Sequence, residues 1–363
     1  MKGKTYLLIG VILVVVAAIV YLESIKPKIP DGSLSGISNV IGNDLSGSKY
    51  PKAPELTDIS GYINTNSNLT IASLKGKVVI VDFWTYSCIN CLRTLPYLNA
   101  WYDKYKDDGL VIIGIHTPEF NFEKDYNNVE MAVQKYDIKY PVVLDNDYGT
   151  WTAYQNQYWP RKYIIDKQGH IRFDHIGEGE YPEEEQEIQM LLSENGTLVN
   201  ESLSNIADQT PTTDNSPETY LGWQFALPRG ENIGGDGFKP NETYTYPAQD
   251  PNKLQKDIAY VENTWYNKED SLVSFNDSIM YYKFTAKNAN IVLDGKGIIQ
   301  VYLDNSPIPK DAAGADINYY TDGSAYINVT EPRLYDIYSG NYSTHVLKLV
   351  FTEGIQANAW TFG

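Results

Sequence analysis

The sequence of 363 residues predicts an α/β layered domain followed by an all-β domain, with an apolar segment at its start. Three observations carry this. Two short apolar runs, at 78–81 and 111–115, flank a stretch of helical period. From residue 279 onward, short β-branched and aromatic runs alternate with turn signals such as Asp294-Gly295 and Asp322-Gly323. Ahead of both, residues 5–22 carry no charge.

The uncharged run just reaches across the hydrocarbon of a bilayer. No small-x-small cleavage site follows Val20, so 1–22 reads as an uncleaved membrane anchor in preference to a removed signal. Either reading exports the remainder. Lys2 and Lys4 nearly balance Lys26 and Lys28, which leaves the orientation weakly specified; sequons such as Asn241-Glu242-Thr243 point outward. Residues 23–53 are rich in Gly, Ser and Pro and read as a linker.

The first domain is expected over 54–196. Residues 78–81 and 111–115 suit strands buried on both faces. Between them, Leu92, Leu95, Leu98 and Trp101 recur at helical steps, and Asp108-Gly109 supplies a stop. The unit is β-α-β, which implies a parallel pair. A helix over 129–136 follows, then a strand edge at 140–144. Residues 163–166 and 170–176 make a hairpin turned at Lys167-Gln168-Gly169, and a last helix over 182–193 opens on Pro and acids. A polar linker over 197–217 leads to the second domain, 218–363, whose short strands suggest a jelly-roll-like β-sandwich.

Composition narrows the partners. A formal charge of −17 repels nucleic acid and anionic lipid, and an apolar content of 42% is enough to fill real cores. The acidity reads as a solvated surface.

The chain holds two cysteines, in Trp84-Thr85-Tyr86-Ser87-Cys88-Ile89-Asn90-Cys91. A CxxC placed after a buried strand and at a helix start sets the first sulfur beside unpaired backbone N–H groups, which favours thiolate. The thiolate is the nucleophile of disulfide exchange, so Cys88 attacks and Cys91 resolves. Zinc would need four ligands, and His116, His170, His175 and His345 lie at no paired ligand spacing. A structural disulfide across two residues would close too small a loop to remove much unfolded-state entropy. Redox activity is therefore expected, with no cofactor beyond the Cys88–Cys91 disulfide itself.

Val81-Asp82-Phe83-Trp84, the CxxC and Pro96 resemble the thioredoxin superfamily, in its TlpA-like branch. Trp84 to Trp101, His116-Thr117-Pro118-Glu119-Phe120, Leu144-Asp145-Asn146-Asp147-Tyr148 and Gly177-Glu178-Gly179 are similar to the periplasmic portion of DipZ-type proteins. Thr219-Tyr220-Leu221-Gly222 and Ala359-Trp360-Thr361-Phe362-Gly363 extend that likeness into the family's carbohydrate-binding-like module, so it covers about 54–363. The resemblance implies a thioredoxin fold and assigns roles. Asp82 becomes a buried acid that moves the Cys91 proton; the alternative is a solvated Asp at a strand end. Trp159-Pro160 takes the cis-proline position that faces an extended substrate, where an ordinary proline would be trans. Trp84 shields the sulfurs or fills the core, and Pro96 bends the active-site helix.

Two departures matter. Cytochrome-maturation relatives often carry Glu three residues after the second Cys, and this chain has Thr94, which weakens a role specific to cytochrome c biogenesis. DipZ-type proteins usually carry a polytopic membrane domain, so the resemblance implies a separate membrane electron donor, CcdA/DsbD-like. The substrates it implies are exported protein thiols or disulfides. The C-terminal aromatics, among them Trp223, Trp265, Tyr282 and Tyr320, suit either a core or a glycan ligand. The expected function is an extracytoplasmic thiol-disulfide oxidoreductase working in the reducing or isomerising direction. The alternative is a cell-surface glycan-binding or adhesion protein with the thioredoxin domain as scaffold.

Overall fold

The computed structural model describes residues 49–194 and 198–363. The expected anchor over 1–22 and residues 23–48 of the expected 23–53 linker lie outside the described residues.

In the first domain, β1 (Gly61–Ile63), β2 (Val78–Trp84), β3 (Leu110–His116), β4 (Val142–Leu144), β5 (Arg161–Ile165) and β6 (Ile171–Ile176) form a 6-stranded sheet in the order β1-β4-β3-β2-β5-β6 among the described residues. β2 runs parallel to β3, as the β-α-β reading requires, and antiparallel to β5. Every residue of β2 is buried, so its period-2 alternation feeds two apolar layers. Val78, Ile80 and Trp84 share one core with α1 (Ile89–Tyr105), α2 (Tyr126–Lys135) and α4 (Tyr181–Ser193). Phe83, on the opposite face, meets Trp151 of the short α3 (Gly149–Ala153), Tyr154 and Tyr163 edge-on.

Local chemistry explains the element ends. Asp125 caps α2 by accepting the Asn127 N–H, which moves the helix start upstream of the expected 129. The β5–β6 turn closes with Gly169 at φ +93°, a conformation that glycine adopts without steric cost. The strand expected at 140–144 begins at Val142, and β1 pairs with it, so it is not the sheet edge. Pro96 sits inside α1 on its exposed side, and the helix continues through it.

The second domain is β-rich. Among the described residues β7 (Thr219–Tyr220), β8 (Thr243–Tyr246), β9 (Ala259–Asn267), β10 (Leu272–Ser274), β11 (Ser278–Asp294), β12 (Gly297–Leu303), β13 (Ser306–Pro307), β14 (Asn318–Tyr319), β15 (Ala325–Val329), β16 (Arg333–Phe351) and β17 (Gln356–Phe362) join in one 11-stranded sheet. β11 and β16 run side by side, with register breaks between Ala286 and Asn288 and between Ala289 and Asn290. Before the first break β11 takes β9 as its other neighbour; after it β11 takes β17. Bulges let one strand serve two directions of sheet around a single core. Trp265, Trp360 and Tyr282 fill that core, whereas Tyr320 is exposed and stacks on Tyr326.

The two domains share a surface. Phe120, from the loop after β3, is buried in the core of the second domain, and Ile89, Leu92 and Phe122 pack against it. Asn121 donates to Asp270, and Tyr220 donates to Glu119 at 2.5 Å. The polar segment after residue 197 does not swing free. Tyr97 donates to the Ile206 carbonyl at 2.9 Å, Glu185 accepts the Ser204 N–H at 2.7 Å, and Val199 and Ile206 pack against the first core.

Replacing Phe120 by Ala removes a side chain that is 2% exposed and shared by both domains; the expected loss is about 3–5 kcal/mol. Limited proteolysis should then cut within 198–217 well before wild-type protein is cut there.

Candidate active site

β2 ends at Trp84, and the chain turns through Thr85, Tyr86 and Ser87 before α1 begins at Ile89. Cys88 is the residue that caps the helix. Its backbone is extended, at φ −82° and ψ 112°, and its Sγ accepts the Cys91 N–H at 3.3 Å. The sulfur thus faces the unpaired donors and positive end of a 17-residue helix. Both cysteines are free thiols, Cys88 half-buried and Cys91 buried, and both lie in the α1 core with Trp84 and Trp159. Burial, then the hydrogen bond and charge of Cys88, push the Cys91 thiol well up. The accessible sulfur is therefore the one at the helix start, and the inner one is held as a protonated thiol.

Asp82 lies on the β2 face that α1 covers. It is fully buried, and neither carboxyl oxygen accepts a hydrogen bond from a described residue. Burial, opposed by Lys162, pushes its pKa up to about 7. This is a buried acid, not a solvated Asp at a strand end. Gly114 faces Asp82 across the parallel pair; a Cβ there would stand 2.9 Å from Trp84 Nε1 and 3.3 Å from Tyr140. Trp84 is wholly buried and meets His116 edge-on. Desolvation pushes the His116 imidazole down to about 3, so it stays neutral.

The Trp159–Pro160 peptide is cis. Trp159 donates its indole N–H to the Thr117 carbonyl at 3.1 Å and packs on Trp151, while the Pro160 carbonyl accepts the Gly177 N–H. Asp145 joins the same loops: it accepts the Thr150 and Trp151 N–H groups at the start of α3 and the Thr117 hydroxyl. Arg93, two residues after Cys91, forks onto Glu178 at 2.7 and 3.0 Å and donates to Asn90. Backbone at Gly363 lies against that guanidinium, since a Cβ there would stand 2.4 Å from Arg93.

One residue that sequence reasoning missed organises the cysteine loop. Glu123 is buried; its Oε1 accepts the hydroxyls of Thr85 and Ser87, each at 2.5 Å, and its Oε2 accepts the N–H groups of Glu119 and Phe120. The only signal was an acid set among aromatics in Phe120-Asn121-Phe122-Glu123. Lys162 and Glu184 were missed too. The former lies directly across from Asp82 on β5, the latter 3.0 Å from its ammonium. At Thr94 the hydroxyl donates to the Cys91 carbonyl at 2.7 Å, so no acid stands there.

Two outcomes follow. Glu123→Gln turns an amide N–H₂ toward donors, and should cost about 2–3 kcal/mol in a denaturant titration. Asp82 in the folded protein binds its proton more tightly than in the unfolded chain. Its contribution to stability is complete below about pH 4 and lost as pH rises through about 7. Asp82→Asn should therefore melt higher than wild type above about pH 8, and lose that advantage near about pH 4.

Known proteins match this arrangement. A model of the AhpC/TSA family matches residues 52–174, and one described as a thioredoxin-like C-terminal domain matches 216–363. Protein DipZ of Mycobacterium tuberculosis is 32% identical over 366 residues, covering 94% of this chain and 49% of its own length. The chain thus spans about half the length of that relative. Thiol-disulfide oxidoreductase YkuV of Bacillus subtilis is 30% identical over 142 residues, 39% of this chain and 94% of its own. Thiol-disulfide oxidoreductase ResA of Bacillus cereus is 32% identical over 123 residues, 34% of this chain and 65% of its own. Matched along nearly the whole of one such enzyme and carrying a second, β-rich domain, the chain belongs to the thioredoxin-like thiol-disulfide oxidoreductase family.

Proposed function

We propose that the protein exchanges disulfides with exported proteins outside the cytoplasm, in the reducing or isomerising direction, through Cys88 and Cys91. The observation that carries this reading is the asymmetry of the pair. One sulfur is half-exposed at a helix start; the other is buried in the core that Asp82 also faces. The names of YkuV and ResA support the chemistry, and the apolar run at 5–22 supports a membrane-tethered, extracytoplasmic place.

The thiolate of Cys88 attacks one sulfur of a substrate disulfide, and the other leaves as thiolate and takes a proton. Asp82 then removes the proton of Cys91. The new Cys91 thiolate attacks Cys88 Sγ, which breaks the mixed disulfide and releases the second substrate thiol. Two electrons have passed to the substrate, and the enzyme is left as the Cys88–Cys91 disulfide. A separate membrane donor of the CcdA/DsbD kind returns them. The β-rich domain, packed on Ile89 and Leu92, holds the reactive face in a fixed frame.

Redox equilibration of the full chain in detergent against glutathione and dithiothreitol buffers checks the direction. A midpoint near about −270 mV is expected, and one near about −120 mV would mark an oxidant instead. A Cys91→Ser variant should accumulate mixed disulfides with exported proteins in cells, and Cys88→Ser should accumulate none.

A further inference from the structure

The acid beneath the cysteines does not stand alone. Asp82 on β2 is paired in register with Lys162 on β5, and Lys162 with His175 on β6. Directly opposed residues of antiparallel strands share a face. The three side chains therefore form a row across the sheet, beneath α1 and α4. Glu184 descends from α4 onto it. Lys162 and Glu184 are each 1% exposed, and Lys162 Nζ lies 3.0 Å from Glu184 Oε1, an ion contact that is not an aligned hydrogen bond. His175 Nδ1 stands 3.9 Å from Glu184 Oε1 and 3.0 Å from Glu180 Oε2. His175 is 8% exposed and Glu180 64%, so the row runs from the dry side of the cysteines to water.

We propose that Asp82, Lys162, Glu184 and His175 act as one proton-handling row, in which Glu184 competes with Asp82 for the Lys162 ammonium and passes the proton taken from Cys91 out to Glu180 and solvent. This rests on the reading of Asp82 as the acceptor of the Cys91 proton. The arithmetic of charge motivates it: two buried carboxyls share one buried cation, so one of them holds a proton when the other is ionised. Burial pushes both up to about 7, with Lys162 opposing in each case, and Asp82 further raises Glu184. The other groups facing the row are the Cys91 thiol from α1, the Tyr140 phenol ahead of β4, and Tyr181 of α4, whose ring lies 5.2 Å from Lys162 Nζ. The Glu178 carbonyl, 3.4 Å from His175 Nε2, closes the outer end.

The transfer balances without electrons. Asp82 and Lys162 share no hydrogen bond, so a bridging water takes the proton of Asp82 and gives one to Lys162 as Lys162 gives one to the Glu184 carboxylate; the ammonium is restored and the proton has crossed one residue. Glu184 hands it to His175 Nδ1, and His175 releases it toward Glu180 and water. Reduction of the Cys88–Cys91 disulfide draws a proton inward along the same row.

The test is the pH profile of thiol-disulfide exchange between the reduced full chain and oxidised glutathione. Glu184→Gln leaves Lys162 to Asp82 alone, and the midpoint of the profile should fall by a tenfold change in proton activity or more. Lys162→Met combined with Glu184→Gln removes the cation as well, and the midpoint should rise. Opposite shifts in two variants that both perturb the same buried contact cannot come from loss of stability. His175→Phe should slow proton release to bulk severalfold, followed with a pH-indicator dye after rapid mixing. If Asp82→Asn moves the profile while both Glu184 variants keep the wild-type midpoint, or if His175→Phe releases its proton at the wild-type rate, the row is overturned and Asp82 acts by itself. If Asp82→Asn leaves the profile unchanged, the reading of Asp82 fails first.

Discussion

Complete burial of β2 is the constraint on which the rest of the structure depends. Seven consecutive side chains lose water on both faces of the sheet, so any polar group among them enters a medium that disfavours charge. Asp82 is that group. The same burial brings α1 down onto the β2 face and ends the strand where Cys88 must cap the helix. Cys88, Cys91 and Asp82 are thus placed by one packing decision. The low-dielectric layer that stabilises the domain is also what holds the carboxyl near neutrality.

The second domain belongs to this constraint. Phe120 leaves the loop that follows β3 and enters the neighbouring core, while Glu123, three residues on, ties Thr85 and Ser87 of the cysteine loop to the same segment. A displacement of the β-rich domain would pull on the loop that presents Cys88. Arg93, held by Glu178 and Asn90 and lying against the backbone of Gly363, is a second tie between the last strand and the active-site helix.

Much of this was legible in the sequence because the relevant signals are local. Apolar runs, helical steps between Leu92 and Trp101, and the CxxC spacing each involve residues close in the chain. The resemblance added the cis bond at Trp159–Pro160, for which no local signal argued. What escaped notice depends on pairing across the fold. β1 is a three-residue strand whose place is set by β4. Lys162 lies just ahead of the strand expected at 163–166, and Glu184 within a run of acids expected to serve a helix start. Only the register of β2, β5 and β6 reveals that they are buried below the cysteines. Residues 197–217 read as a linker because their composition is polar, yet backbone groups at Ser204 and Ile206 bind side chains of α1 and α4.

That last segment alters how the molecule should be imagined at work. Two bodies joined by a slack cord would sample many mutual orientations, and the reactive sulfur would find partners by roaming. A connector laid along α1 and α4 acts instead as a splint: whatever the β-rich domain rests upon also sets the bearing of Cys88.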